Sequence, residues 1–176
     1  ATMLIDQLQR ILFSADALQP VLGKLEVGDD ASLGIVASVR PFVVASLFTR
    51  EPRTIFVVVS GNDAAERFAN DVAAYIGRAH VCVYPERMDM PWQDMRPDHK
   101  IVGARTRAIG LLALGRPMVI VASARALLRK VAPASGNVFS PLVITREDGV
   151  VDVATGEPIA YEDVAVQLVS RGYERL

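Results

Sequence analysis

The fold is decided by the stretch TIFVVVSGNDAAERFANDVAAYIGRAHVCVY, residues 54–84, in which two short apolar runs flank an amphipathic segment. The valine-rich outer runs predict two buried β-strands. The segment between them predicts a helix because its apolar residues recur at helical spacing, and Asn62 or Asp63 stands where a cap is expected. A strand, a helix and a second strand in this order indicate a parallel sheet covered by helices.

The same alternation continues on both sides of this stretch. The runs LGIVAS, residues 33–38, and PMVIVAS, residues 117–123, predict two further strands, of which 33–38 would be the first strand of the sheet. Helices are predicted over residues 4–13, 40–49, 98–112, 124–131 and 161–171, with Asp98 and Ser123 as caps of the third and fourth. The predicted fold class is therefore α/β.

Composition and charge limit the classes of function. The chain has 176 residues, 51% of them hydrophobic, which is enough for one well-filled domain and the beginning of a second. A net charge of −1 and a pI near 6.2 predict no global attraction to nucleic acid or membranes, so any DNA contact needs a local basic patch. The single cysteine, Cys82, excludes an internal disulfide. No apolar run reaches the roughly 18 residues of a membrane span, and we expect a cytoplasmic protein.

The alternation of strand-like and helical sequence patterns stops at residues 132–137, which predicts a domain boundary. Pro133, Ser135 and Gly136 end the alternation there, and the strand-like runs that follow carry turn signals of their own. We therefore expect one domain over residues 1–133 and the beginning of a second, small α+β domain over residues 134–176.

The stretch YPERMDMPWQDMRPDHKIVGARTR, residues 84–107, predicts a long but ordered loop that leads into a helix. Pro85, Pro91 and Pro97 each fix φ and bias the preceding residue toward extended conformations. A long loop inside a compact domain usually has a function. A rigid surface crossover without special function is also compatible with these residues.

This loop resembles the N-terminal module of the bacterial transcription-repair coupling factors, the Mfd family. The family pattern has an aromatic residue followed by a proline, then a proline followed by an aromatic residue, then a third proline and an arginine on the next helix. In this chain these positions are Tyr84, Pro85, Pro91, Trp92, Pro97 and Arg105. Segments 56–77, 118–133 and 161–176 are similar to the same module, in the same order. Because the module is homologous to the first domain of the excision-repair subunit UvrB, the resemblance implies a degenerate RecA-like sheet of the phosphate-loop NTPase type, which corresponds to residues 1–133.

Within this resemblance, residues 34–41 align with the phosphate loop. The degenerate loop is marked by Gly34, Ser38, Arg40 and Pro41, with Arg40 at the usual lysine and Pro41 at the hydroxyl that holds magnesium. A proline can neither ligate magnesium nor donate an amide. We therefore expect no catalytic residue, cofactor or metal in this chain, whereas the resemblance implies ATP and magnesium in the full-length translocase. The same residues also fit an ordinary strand-to-helix turn.

The resemblance also implies a function. The full-length protein would recognise RNA polymerase stalled at DNA damage, displace it by ATP-driven translocation and recruit nucleotide excision repair through UvrA. This chain would be a non-catalytic scaffold for UvrA recruitment and autoinhibition, with most of the UvrA surface beyond it and no membrane partner. The candidate contacts with a partner or DNA are Trp92, Arg105, Arg107, Arg125, Tyr173 and Arg175.

Two alternatives from other classes remain open. A nucleotide-binding domain of the UvrB type would need an intact phosphate loop. A DNA-binding module would show binding that falls steeply with salt, and it would depend on Arg40, Arg105, Arg107 and Arg125.

Overall fold

The computed structural model describes residues 2–87, 98–128, 131, 142–145, 149–152 and 158–170. The helices are α1 (Thr2–Ser14), α2 (Gln19–Glu26), α3 (Arg40–Arg50), α4 (Asn62–Ile76), α5 (His99–Ala113), α6 (Ala124–Leu127) and α7 (Tyr161–Ser170). The strands are β1 (Ile55–Val59), β2 (Val81–Tyr84), β3 (Val119–Ser123), β4 (Leu142–Thr145) and β5 (Gly149–Asp152). The predicted α/β class is confirmed.

The first three strands form a parallel sheet in the order β1-β3-β2. All five residues of the central strand β3 are buried, because strands flank it and helices cover both of its faces. This environment accounts for the uninterrupted apolar run VIVA, since a strand without a solvent face has no reason to alternate. The strands predicted from 54–60, 80–84 and 117–123 are confirmed.

Two apolar clusters hold the helices on the sheet. One cluster joins α3 and α4 to the face that carries Val119 and Val121, and it includes Phe48 and Val72. The other joins α5 and α6 to the opposite face, around Ile120. Successive residues of β3 therefore enter the two clusters in alternation.

The predicted strand over residues 33–38 is wrong. Residues 31–36 have no regular structure, and a single 3-10 turn, Ala37–Val39, leads directly into α3. A strand is stable only when a neighbour completes its ladder of hydrogen bonds, and among the described residues this segment pairs with neither outer strand of the sheet. The sequence analysis also missed α2, a short helix with a proline in its first turn that buries Leu22.

The predicted caps are confirmed at two helices and wrong at a third. Asp98 accepts a hydrogen bond from the Lys100 amide at 2.8 Å, and Ser123 accepts one from the Ala126 amide at 3.0 Å. At α4 the cap position is Gly61, without a side-chain hydrogen bond. The Asn62 side chain is used elsewhere in the fold.

The C-terminal elements form a pattern of their own. Strands β4 and β5 pair in antiparallel fashion, with Val143 opposite Val151, and α7 confirms the predicted helix. The predicted boundary at residues 132–137 lies outside the described residues. Within the ranges that the structure describes, no helix is long and apolar enough to cross a membrane.

The central position of β3 gives a stability prediction. Replacing Ile120, which is fully buried, with alanine should lower the free energy of unfolding by about 2–5 kcal/mol, because it leaves a cavity in a packed core. Val58→Ala on β1 should cost less than about 1.5 kcal/mol, since that side chain is 55% exposed. Urea denaturation measures both, and equal losses would contradict the assignment of β3 as the core strand.

Candidate functional site

The carboxyl ends of β1, β2 and β3 meet at one edge of the sheet, which is where open α/β folds usually bind ligands. The polar residues there come from separate parts of the chain. Asn62 follows β1, Ser123 ends β3, and Arg105 reaches the end of β2 from α5. What each polar group contacts decides what this edge can do chemically.

Arg105 is the most unusual residue of this edge, because it is charged and only 8% exposed. Its Nη1 donates a hydrogen bond to the Pro85 carbonyl at 2.7 Å, and its Nη2 donates one to the Tyr84 hydroxyl at 2.5 Å. The guanidinium carbon also lies 4.0 Å from the centroid of the Tyr84 ring. One side chain therefore combines two directed hydrogen bonds with a cation–π contact.

These contacts offset the cost of burying a guanidinium. A buried charge without hydrogen bonds would strongly destabilise the fold, whereas a planar fork with several satisfied donors is tolerated. Tyr84 is itself 5% exposed and packs in the Ile120 cluster, so the ring beneath the guanidinium is rigidly placed. In the described part of the chain, no buried side-chain nitrogen or oxygen lacks a hydrogen-bond partner.

A second contact holds the same segment from the side of β1. The Glu86 amide donates a hydrogen bond of 2.9 Å to Oδ1 of Asn62, which is why Asn62 does not cap α4. The chain leaving β2 is thus fixed by α5 and by the start of α4. We call Asn62, Tyr84, Pro85, Glu86 and Arg105 the β2 exit anchor.

The other polar groups of this edge either form hydrogen bonds within the fold or disfavour the binding of an anion. The Ser123 hydroxyl caps α6. Asp63 lies in the first turn of α4, where its carboxylate opposes the attraction of a helix N-terminus for phosphate. Among the residues that can be described, no group of three histidine, cysteine, aspartate or glutamate side chains could hold a metal ion.

The segment aligned with the phosphate loop does not have the arrangement of one. Such a loop joins a strand to a helix, whereas residues 31–36 have no regular structure. Gly34, Ser38 and Arg40 are exposed, and Pro41 is buried in the first turn of α3. The expectation that this segment opens a helix is confirmed, and the expectation that it follows a strand is wrong.

The predicted contact residues are distributed over different elements. Arg105 lies in the β2 exit anchor, with its guanidinium turned toward Tyr84 and Pro85 rather than toward solvent. Arg107 on α5 and Arg125 on α6 are exposed. The remaining three candidates, Trp92, Tyr173 and Arg175, lie outside the described residues.

Sequence reasoning missed the role of Asn62 and the burial of Arg105. The available signal was the position of both residues: Asn62 lies three residues beyond the end of β1, and Arg105 is the seventh residue of α5, the helix that follows β2. Carboxyl ends of parallel strands converge, so polar residues just beyond them are candidates for mutual contact.

Cys82, on β2, is a structural residue. Burial raises the pKa of its thiol, and the positive charge of Arg107 partly opposes that shift. The thiol is therefore protonated at neutral pH, which makes it a poor nucleophile.

Comparison with known proteins adds no relative: no protein-family model matches the chain, and no curated protein matches it significantly. The resemblance to the coupling-factor module therefore rests on the sequence positions quoted in the sequence analysis alone.

The β2 exit anchor predicts a measurable coupling. Tyr84→Phe removes one acceptor from a buried guanidinium and should lower the free energy of unfolding by about 1–3 kcal/mol. Arg105→Lys should cost a similar amount or more, because an ammonium cannot make both hydrogen bonds and stack on the ring. In a double-mutant cycle by urea denaturation, the two changes should be non-additive.

The control for this cycle is Arg107→Ala, on the same helix. Its side chain is exposed, so the free energy of unfolding should change by no more than about 0.5 kcal/mol. Additive effects of Tyr84→Phe and Arg105→Lys would contradict the anchor.

The segment 34–41 predicts the response to ATP. Calorimetry with ATP and magnesium should give no binding heat for the natural chain, because Pro41 supplies neither an amide donor nor a hydroxyl. The variant Arg40→Lys, Pro41→Thr restores the two side chains but not the strand before them, and it should also give none. Micromolar binding by the natural chain would make a nucleotide-binding function the leading explanation.

Proposed function

We propose that this chain is the N-terminal, non-catalytic part of a transcription-repair coupling factor, with a degenerate RecA-like sheet that serves as a scaffold. The observation that carries the proposal is the β2 exit anchor. Tyr84, Pro85 and Arg105 are three of the six positions on which the resemblance depends, and they contact one another although Arg105 lies 20 residues beyond Pro85 in the sequence.

This contact supplies a physical reason for the sequence pattern. Tyr84, at the end of β2, packs against the guanidinium of Arg105, and the Pro85 carbonyl accepts a hydrogen bond from it. The pattern therefore requires an arginine at the position of α5 that lies beside the end of β2. The anchor fixes where the proline-rich segment begins, and the Asp98 cap fixes where α5 begins after it. Fixed ends of this kind are expected where a loop has to be held in one position for contact with a partner or with another domain.

Exposed apolar surface supports a role in protein contacts. Leu4, Leu8 and Ile11 follow one stripe of α1, and each side chain is between 44% and 65% exposed. Phe56 and Val58 lie on one face of the edge strand β1 and are 46% and 55% exposed. Contiguous apolar surface of this kind is typical of contact sites for other proteins or domains.

In the proposed setting, the chemistry lies elsewhere in a cytoplasmic full-length protein. ATP and magnesium would drive a translocase in later domains, which would act on DNA and on stalled RNA polymerase. This chain would support the surface that recruits UvrA and would restrain the translocase until it engages its substrate. The proline-rich segment, residues 86–97, would be one contact of that resting arrangement.

The proposal is tested on the full-length protein that carries this chain. We expect it to release RNA polymerase halted on DNA in the presence of ATP, and not with a non-hydrolysable analogue. Immobilised full-length protein should also retain purified UvrA. Polymerase release without ATP hydrolysis, or neither release nor UvrA retention, would contradict the assignment.

The restraining role has a separate readout in the same protein. Arg105→Ala, or a short Gly-Ser linker in place of residues 86–97, should raise the ATPase rate measured without DNA, because both changes remove the positioning of the segment. Arg107→Ala is the matched control and should leave that rate unchanged. An unchanged rate in all three proteins would refute the restraint while leaving UvrA recruitment to its own assay.

A further inference from the structure

The side of β2 that faces away from β3 forms the floor of a groove between α4 and α5. The groove has a volume of about 540 Å³ and lies away from the β2 exit anchor, along the strand rather than at its end. Among the described residues, β2 pairs only with β3. An edge strand of this kind presents unpaired backbone groups to whatever enters the groove.

The register shows which backbone groups are open. The Met118 carbonyl accepts a hydrogen bond from the Ile55 amide of β1, so the backbone groups of the next residue, Val119, are directed at β2. Val81 is the partner of Val119 in the ladder, and in a parallel pair the residue opposite such a position directs its own amide and carbonyl away. Val81 and Val83 therefore direct their backbone groups to the open side, and both line the groove. The Val81 amide donates to the Arg78 carbonyl, and the Val83 carbonyl accepts a long hydrogen bond of 3.6 Å from Cys82 Sγ. The Val81 carbonyl and the Val83 amide remain as the acceptor and the donor for a ligand.

The walls leave room for another chain. The lining positions of α4 include Ala69 and Ala73, and those of α5 include Gly103 and Ala104, so short side chains face the open edge from both helices. A Cβ atom added at Gly103 would have no neighbour within 4 Å. An added strand would lie about 4.8 Å from β2, and the short side chains on both walls of the groove leave room for it at that distance.

The rim of the groove is basic. Arg78, Lys100 and Arg107 line it together with His99, all four are exposed, and no aspartate or glutamate is among the described lining residues. The chain as a whole has a net charge of −1, so this concentration of cations is local. A cleft lined by one sign of charge attracts ligands of the opposite sign.

We propose that this groove binds an extended acidic peptide segment of a partner protein, which adds to the sheet as a strand beside β2. One peptide residue, opposite Cys82, donates its amide to the Val81 carbonyl and accepts a hydrogen bond from the Val83 amide. Its side chains alternate between the two walls, so acidic residues at every second position meet Lys100 and Arg107 on α5, and small apolar residues between them meet the alanines of α4. This surface is independent of the proposed coupling function.

A peptide fits the groove better than a nucleic acid. The floor offers one carbonyl acceptor, on Val81, and one amide donor, on Val83, and a single peptide residue complements both. A phosphate backbone would use the cations of the rim but would leave the carbonyl of Val81 unpaired. The two ligands are therefore distinguished by whether binding requires amide groups.

The first experiment measures fluorescence anisotropy of the 176-residue chain with a labelled peptide of alternating glutamate and valine. We expect binding that weakens as salt is raised. The same peptide with N-methyl groups on alternate amides, on the edge that would face β2, should bind at least about tenfold more weakly, because it cannot complete the ladder. A lysine–valine peptide and a labelled oligothymidine serve as controls for charge and for nucleic acid.

Variants then locate the site. Arg107→Glu should weaken binding of the glutamate–valine peptide by about tenfold or more, whereas the matched control Arg125→Glu, on α6, should leave it unchanged. Gly103→Leu should abolish binding by filling the groove. Leucine is a better helix former than glycine, so this variant should keep the wild-type urea midpoint or exceed it.

The proposal is overturned by any of four results. These are no peptide binding up to about 1 mM, equal binding of the N-methylated peptide, wild-type binding by folded Gly103→Leu, or tighter binding of oligothymidine than of the acidic peptide. The last result would identify the groove as a nucleic-acid site.

Discussion

The structure depends on the complete burial of β3. This strand is the only one of the three parallel strands with ladder partners on both sides among the described residues, and its side chains supply both apolar clusters. The crossover from β1 past β3 to β2 and the return from β2 to β3 run in opposite directions, so right-handed connections place α4 on one face of β3 and α5 on the other. The positions of the β2 exit anchor and of the groove beside β2 both follow from that arrangement.

The buried guanidinium of Arg105 is the second constraint. It stabilises the end of β2 only because the Tyr84 ring and the Pro85 carbonyl are already held in place by the sheet. Asn62 completes the arrangement by binding the Glu86 amide. The carboxyl edge, where α/β folds usually bind ligands, is therefore used here to fix the course of the chain.

The two outer strands differ in what they leave exposed. β1 exposes apolar side chains, Phe56 and Val58, whereas β2 exposes backbone groups at the bottom of a basic groove. Apolar side chains favour broad contacts with another domain, and unpaired backbone groups favour a single extended segment. The two outer strands of this sheet therefore present different kinds of surface.

The sequence by itself determined the α/β class, the three parallel strands and the caps at Asp98 and Ser123, because apolar periodicity and local side-chain hydrogen bonds act over a few residues. The same reasoning failed for residues 33–38, which are apolar enough for a strand but find no ladder partner among the described residues. Only the tertiary structure decided that Asn62 binds Glu86, that Arg105 is buried and that β2 pairs only with β3 among the described residues. Each of these depends on which strand lies beside which, and strand order is set by packing between distant segments rather than by any local pattern.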